Sequence, residues 1–139
     1  MSWTRLVSGA RSPEEWEAVI GGQIRAKVLV QDQPVSAGAL IEFLKNPERG
    51  PYPAFLAEIV AVWRMPLSDV RDSMMLDVGF KDFADFCGHV RQIYPQLQIN
   101  TIVTIVKWNS GRVLNNAEEA HRYFDALRPC SECHERDQT

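Results

Sequence analysis

The most regular spacing of apolar residues lies in the middle of the chain. Between residues 54 and 64 apolar side chains recur every three or four positions, as in an amphipathic helix that buries one face. Pro66 disfavours helical geometry at the residue before it, so this helix is expected to end there. Similar spacing predicts further helices within residues 12–22, 36–46, 67–76, 81–94 and 116–129.

Runs of β-branched residues mark the predicted strands. Residues 98–108 are rich in Ile, Val and Thr, which favour extended backbone. Asn109-Ser110-Gly111 is typical of a turn, and residues 112–114 can return as a second strand, which predicts a β-hairpin. A shorter strand is expected over residues 27–31. The sequence therefore predicts an α+β fold in which about five helices pack on a small sheet that includes a C-terminal β-hairpin.

The size of the chain predicts one globular domain. Its 139 residues match a single average domain, and 45% hydrophobic with 24% charged residues is close to the globular average. We expect residues 1–129 to form this domain. Residues 130–139, which follow a proline, are expected to form a flexible C-terminal tail.

Composition disfavours several classes of protein. No apolar run approaches the roughly 20 residues that span a bilayer, and polar residues near the N-terminus interrupt any signal-peptide core. A cytoplasmic location without membrane contact is therefore expected, and three cysteines fit a reducing compartment. A net charge of −3 lowers the expectation of nucleic-acid binding. The chain carries no phosphate-binding loop, dinucleotide-binding or serine-hydrolase motif, so no catalytic residue is assigned.

The C-terminal residues contain a metal-binding pattern. Cys130, Cys133 and His134 fit the C-x-x-C-H spacing of covalent haem attachment, although that reaction normally follows export. The same cysteine spacing occurs in zinc sites, where Cys87 and His89 could complete four ligands. The sequence therefore predicts no cofactor, and zinc bound by these residues is the alternative. In the leading interpretation, Cys130 and Cys133 are exposed thiols in the tail and Cys87 is a buried apolar residue.

Residues 54–76 have the spacing of a helix-turn-helix. The first predicted helix ends at Pro66, and the second would present Ser68 and Arg71 to base edges of DNA, with Arg64 near a phosphate. Two aspartates in the second helix and the lack of a glycine in the turn oppose this assignment. A DNA-binding regulator is therefore an alternative hypothesis for the function.

Two aromatic residues support a protein partner. Trp3 lies in a segment without pattern and Tyr52 in the proline-rich loop 47–53, and both residue types are enriched in interface hot spots. Because no catalytic signature is present, the leading hypothesis is a small protein-interaction module, such as an adaptor, inhibitor or assembly factor. It would bind another protein through Trp3 and Tyr52. A small-molecule binder or enzyme whose pocket the sequence does not reveal is the further alternative.

Overall fold

The computed structural model describes residues 5–30 and 34–127 of the chain. This part contains five strands, four α-helices and one 3-10 turn. In chain order the elements are β1 (Arg5–Gly9), α1 (Pro13–Ile20), β2 (Ala26–Leu29), β3 (Leu40–Leu44), β4 (Ala54–Pro66), the 3-10 turn (Leu67–Asp69), α2 (Asp72–Val78), α3 (Phe83–Ile93), β5 (Ile102–Leu114) and α4 (Ala117–Leu127).

The five strands form one mixed sheet in the order β1-β3-β4-β5-β2. β1 runs parallel to β3, and all other neighbours are antiparallel. The sheet curls into a half-barrel. β4 and β5, of 13 residues each, form its centre, and their register is irregular on both sides of Ile59. Such bulges increase the local twist, which helps a sheet to curl.

Side chains of the central strands enter separate apolar clusters. The α1 cluster lies between the sheet and α1 and contains Trp16 and Trp108. The α2–α3 cluster lies between the sheet and α2 and α3 and contains Phe86. The α4 cluster contains Leu56 and Leu114. The sheet is therefore covered by helices on both faces.

Two of the predicted helices are strands. The segments 36–46 and 54–64 contain β3 and most of β4, so the prediction of about five helices on a small sheet is wrong. The physical reason is burial on both faces: Phe55 and Ala57 enter the α1 cluster, whereas Leu56 between them enters the α4 cluster. A strand covered on both faces lacks the alternation of polar and apolar residues, and its continuous apolar run resembles a helix.

The predicted C-terminal hairpin is also wrong. β5 continues without a turn through Asn109, Ser110 and Gly111, and it stays paired with β4. Gly111 permits close packing, because a Cβ atom built there would lie 2.4 Å from the carbonyl oxygen of Leu56 and 2.6 Å from the ring of Phe55. The glycine that suggested a turn therefore allows two strands to approach each other.

None of the described helices is long and apolar enough to cross a lipid bilayer. The predicted C-terminal tail, residues 130–139, lies outside the described residues.

The tight packing at Gly111 predicts a difference between two glycine substitutions. Gly111→Ala should lower the free energy of unfolding by about 2 kcal/mol, because the added methyl group overpacks β4 against β5. Gly88→Ala is the matched control, since a Cβ at this helical position meets nothing within 4 Å. It should raise the stability by up to about 1 kcal/mol. Urea denaturation measures both values. Equal stability of Gly111→Ala and the unmodified protein would contradict the continuous β5 strand.

Candidate binding cleft

A cavity of about 360 Å³, here called the cleft, opens between α1, β2 and α3. Its volume lies within the range of small-molecule sites. Its charged lining residues are Arg11, Glu15 and Lys27. Most of the remaining wall is apolar or aromatic, and it includes Val28, Phe43, Phe80, Phe86 and Tyr94.

Lys27 reaches the cleft because side chains alternate along β2. Its neighbours Ala26 and Val28 are buried in the α2–α3 cluster, so Lys27 points to the opposite face of the sheet, toward α1. There its Nζ atom lies 5.2 Å from the centroid of the Phe43 ring, within the range of a cation–π contact. Lysine is rarely placed on a covered face of a strand, which makes Lys27 the first candidate for contact with a ligand.

Arg11 and Glu15 form an ion pair at the cleft. Glu15 Oε2 accepts from Arg11 Nη2 at 2.7 Å and from Arg11 Nε at 3.2 Å, and Glu15 Oε1 accepts from the backbone N–H of Arg11 at 2.7 Å. The hydroxyl of Ser12 accepts from the backbone N–H of Glu15 at 3.1 Å and thereby caps α1. Both carboxylate oxygens are thus engaged by Arg11. Among the described residues, none forms a hydrogen bond or an ion pair with Lys27 Nζ.

The surroundings shift the pKa values of two of these groups. Burial lowers the pKa of Lys27, because its ammonium loses hydration in an apolar wall; the charge of Glu15 opposes this effect and that of Arg11 adds to it. Burial raises the pKa of Glu15, but the hydrogen bonds and charge of Arg11, with the charge of Lys27, outweigh burial. The pKa of Glu15 therefore lies below its ordinary value of 4.5. Glu15 is ionised at neutral pH, whereas burial in the apolar wall disfavours the charged form of Lys27.

Aromatic rings continue the wall of the cleft beyond Arg11. Arg11 contacts His89, and its guanidinium carbon lies 5.6 Å from the centroid of the Phe80 ring. Phe80 packs edge-on against Phe86 with centroids 5.3 Å apart. Tyr94 is 50% exposed, and a shallow, mainly apolar groove continues from it along the segment after α3. The cleft therefore presents an exposed aromatic ring to solvent.

Trp108 packs against Phe43 on the same face of the sheet as Lys27. The ring centroids of Trp108 and Phe43 are 6.2 Å apart, and Lys27 pairs with Val106, two residues before Trp108 on β5. Trp108 is 1% exposed, and its indole N–H has no acceptor among the described residues. Buried donors without an acceptor are uncommon in folded proteins. Two donors beside Phe43, one charged and one neutral, thus lack a partner within the described part of the chain.

Of the two residues predicted to bind a protein, the structure describes Tyr52 alone. Tyr52 is half-buried and packs against the α4 cluster. Trp3 lies outside the described residues. Protein binding through these two residues stays a prediction.

The helix-turn-helix predicted over residues 54–76 is absent, because residues 54–66 form β4. Arg64 lies on this strand, and its Nη2 atom donates to the carbonyl oxygen of Val35 at 2.6 Å. Ser68 lies in the 3-10 turn and Arg71 directly before α2, and both are exposed. DNA binding by these three residues stays a prediction, but the helix-turn-helix motif on which it was based is not formed.

The predicted zinc ligands are described only in part. Cys87 and His89 lie on α3, whereas Cys130, Cys133 and His134 lie outside the described residues. Burial raises the pKa of the Cys87 thiol, which disfavours the thiolate that a metal binds. Within residues 5–30 and 34–127, no three His, Cys, Asp or Glu side chains are grouped as a metal site requires. The zinc site stays a prediction.

No local motif in the sequence marks Arg11, Glu15 or Lys27 as members of a site. Arg11 and Glu15 are distant from Lys27 along the chain, and only the fold brings them together. One signal was present in the sequence. Leu29 is the next residue on the same face of β2 as Lys27, and an apolar residue there indicates that this face is covered as well. A lysine on such a face is a candidate for a functional role.

Comparisons with known proteins define the class of the fold. Neither a family model nor a curated protein sequence matches the chain. The structure is similar to an ASCH domain from Lactobacillus crispatus, with 12% identity and a TM-score of 0.57 over 80% of this chain and 81% of that chain. It is also similar to an ASCH protein from Zymomonas mobilis, with 12% identity and a TM-score of 0.56 over 81% and 73%.

A third similar structure is a protein from Enterococcus faecalis described by the family model DUF984. The identity is 18% and the TM-score is 0.60, over 83% of this chain and 80% of that chain. At these identities the likeness concerns the fold alone. The chain therefore has an ASCH-like fold, and its chemistry has to be inferred from its own residues.

The ion pair at the cleft predicts a pH dependence of stability. Glu15→Gln should lower the free energy of unfolding at pH 7 by on the order of 1 kcal/mol, because a charged acceptor of Arg11 is lost. When folding lowers the pKa of an acid, the ionised acid stabilises the folded protein at pH values above its unfolded-state pKa. This stabilisation is lost as the pH falls through the folded-state pKa. The stability difference between the two proteins should therefore shrink as pH falls below 4.5.

Urea denaturation at several pH values measures this difference. Glu14→Gln is the control, since Glu14 is an exposed acid in the same helical turn. A difference for Glu15→Gln that stays constant down to the acid transition would contradict the assigned ion pair.

Proposed function

We propose that this protein is a small binding module whose cleft takes a single nucleotide unit with the base inside. The observation that carries the proposal is the ammonium of Lys27, which lies over Phe43 inside an aromatic-lined cavity without an acceptor from the described residues. The ASCH-like fold is compatible with a small nucleic-acid-binding or protein-binding module.

The charges of the cleft favour a ligand with oxygen acceptors or negative charge. The guanidinium of Arg11 and the carboxylate of Glu15 form a salt bridge at 2.7 Å, so their charges offset each other. Lys27 therefore supplies the surplus positive charge among the charged lining residues. A positive charge in an apolar wall has a larger effect on a bound group than the same charge in water. A ligand with an electron-rich oxygen fits this site better than a cation or a hydrocarbon.

The aromatic wall favours a flat ligand. Phe43, Phe86 and Tyr94 line the cleft, and Tyr94 exposes half of its surface there. Nucleobases stack on such rings, and proteins that bind single-stranded nucleic acid use exposed aromatic residues in this way. A nucleobase combines a flat ring with carbonyl oxygens, so it satisfies both the aromatic wall and Lys27.

The proposal develops the hypothesis of a small-molecule binder with a pocket that the sequence does not reveal. A nucleic-acid component remains the proposed ligand, but it would bind in the cleft and not through a helix-turn-helix. The hypothesis of a protein partner at Trp3 and Tyr52 receives no specific support from the described contacts. We assign no catalytic step to the cleft.

Replacement of the cleft lysine tests the proposal. Lys27→Met keeps the length of the side chain and removes its charge, so the dissociation constant for uridine 5′-monophosphate should increase about tenfold or more, equivalent to ~1.4 kcal/mol. Isothermal titration calorimetry measures this value. Lys45→Met is the matched control, because Lys45 is exposed and does not line the cleft. It should bind as the unmodified protein does.

The folding of the variant is checked by its thermal midpoint. Lys27→Met should unfold at the same or a higher temperature, since an apolar group replaces a poorly solvated charge. Equal affinities of Lys27→Met and Lys45→Met would exclude the proposed role of Lys27. A failure of uridine, cytidine, inosine and adenosine 5′-monophosphates all to bind the unmodified protein at millimolar concentration would refute nucleotide binding.

A further inference from the structure

A second cavity, here called the arginine pocket, lies where the end of β5 meets α4. Its volume is about 480 Å³, and it shares no lining residue with the cleft. β5 contributes Arg112 and two apolar residues to its wall, and α4 contributes Glu119, Arg122, Tyr123 and Ala126. The pocket is therefore a second place at which a ligand can contact several side chains at once.

The geometry of the strand and of the helix brings two arginines to this pocket. Arg112 lies two residues before Leu114, which is buried in the α4 cluster, so Arg112 points to the face of the sheet that α4 covers. On α4, Arg122 and Tyr123 follow Glu119 by three and four positions, so these residues share one side of the helix. The guanidinium carbon of Arg112 lies 5.0 Å from the centroid of the Tyr123 ring, which places this side of α4 against β5.

The two arginines of the pocket are not neutralised by an acid as Arg5 is. Arg5 lies over the ring of another α4 residue, Phe124, and its Nη1 atom is 3.6 Å from Oε1 of Glu42. Within residues 5–30 and 34–127, no side chain forms an ion pair with Arg112 or Arg122. A guanidinium is not deprotonated in a protein, so both positive charges are present at neutral pH.

Glu119 is the acid of the pocket, and the cap of α4 holds its carboxylate. Its Oε1 atom accepts from the backbone N–H of Asn115 at 2.9 Å and from the Asn115 side chain at 3.3 Å. The side chain of Asn116 in turn accepts from the backbone N–H of Glu119 at 2.9 Å, as in a capping box. The charged lining residues thus comprise two cations and one anion, which leaves a surplus of positive charge.

We propose that the arginine pocket binds a phosphate group, either as the free ion or on an ester. The two guanidiniums come from different elements, and each presents a fork of N–H groups that matches two oxygen atoms. One carboxylate fills a single fork, whereas a phosphate has enough oxygens to contact both and carries up to about two negative charges. Phosphate binding in this pocket does not rest on nucleotide binding in the cleft.

A nuclear magnetic resonance titration of the ¹⁵N-labelled protein with sodium phosphate at constant ionic strength tests the site. The Nε–H signals of Arg112 and Arg122, assigned by substitution, should shift and saturate. Arg112→Gln and Arg122→Gln should each raise the dissociation constant about tenfold, because charge-assisted hydrogen bonds are lost. Arg91→Gln is the matched control, since Arg91 is an exposed arginine on α3 outside the pocket. It should bind phosphate as the unmodified protein does.

Replacement of the acid should change the affinity in the opposite direction. Glu119→Gln keeps an oxygen that accepts from Asn115 and removes the negative charge beside the bound anion, so the dissociation constant should fall about threefold. A substitution that only disturbed the pocket would weaken binding. Unchanged or weaker binding by Glu119→Gln would therefore contradict a phosphate held between Arg112 and Arg122.

Other ligands and a cleft variant distinguish what the pocket takes. Ribose 5-phosphate carries the same group on a sugar: tighter binding than inorganic phosphate supports an ester as the occupant, and equal or weaker binding supports the free ion. Acetate that binds as tightly as phosphate would overturn the choice of phosphate over a carboxylate. Lys27→Met should bind phosphate as the unmodified protein does, and a loss of affinity in this variant would place the anion in the cleft and refute the pocket.

Two results would refute the site outright. These are the absence of a saturable shift at Arg112 and Arg122, and equal affinities of Arg122→Gln and Arg91→Gln. Arg122 is exposed on the surface of α4, so its replacement still decides the matter if Arg112→Gln does not fold. Phosphate binding here by a protein whose cleft takes no nucleotide would support the pocket and refute the function proposed for the cleft.

Discussion

The antiparallel pairing of β4 with β5 is the constraint on which the rest of the structure depends. These are the two longest strands, and their side chains enter the apolar clusters on both faces of the sheet. The strands next to this pair are hydrogen-bonded to it, and the helices pack on its side chains. β2 pairs with β5, and β3 pairs with β4. The position of Lys27 in the cleft is thus set by the register of β2 on β5.

The cleft depends on a second interaction that is local in sequence. The ion pair between Arg11 and Glu15 joins the chain just before α1 to its first turn. Among residues 5–30 and 34–127, Glu15 is the carboxylate whose charge acts on Lys27. Because Arg11 engages Glu15, Lys27 is left to other partners. A salt bridge between residues four apart in the sequence can in this way decide which neighbouring charge remains available.

The sequence allowed the helices at the two ends and in the second half of the chain to be anticipated, because these helices are covered on one side only. α1 begins at Ser12 and Pro13, and α3 and α4 show a clear apolar stripe. The central strands were misread, since burial on both faces removes the alternation that identifies a strand. Lys27 was not recognised because Glu15 and Phe43, with which it interacts, lie on other elements. Contacts between distant segments leave no local spacing pattern in the sequence.

The connection from β1 to β2 has a consequence for how the cleft can vary. β1 and β2 are the two edges of the sheet, and α1, of eight residues and about 12 Å, lies between them in the chain. The helix with its two short connections therefore acts as a strap of fixed length across the gap between the edges. A change in the length of either connection would shift α1 and alter the width of the opening, and it would also displace Trp16 and Val19, which α1 contributes to the core. Size selection and stability are therefore coupled in this fold.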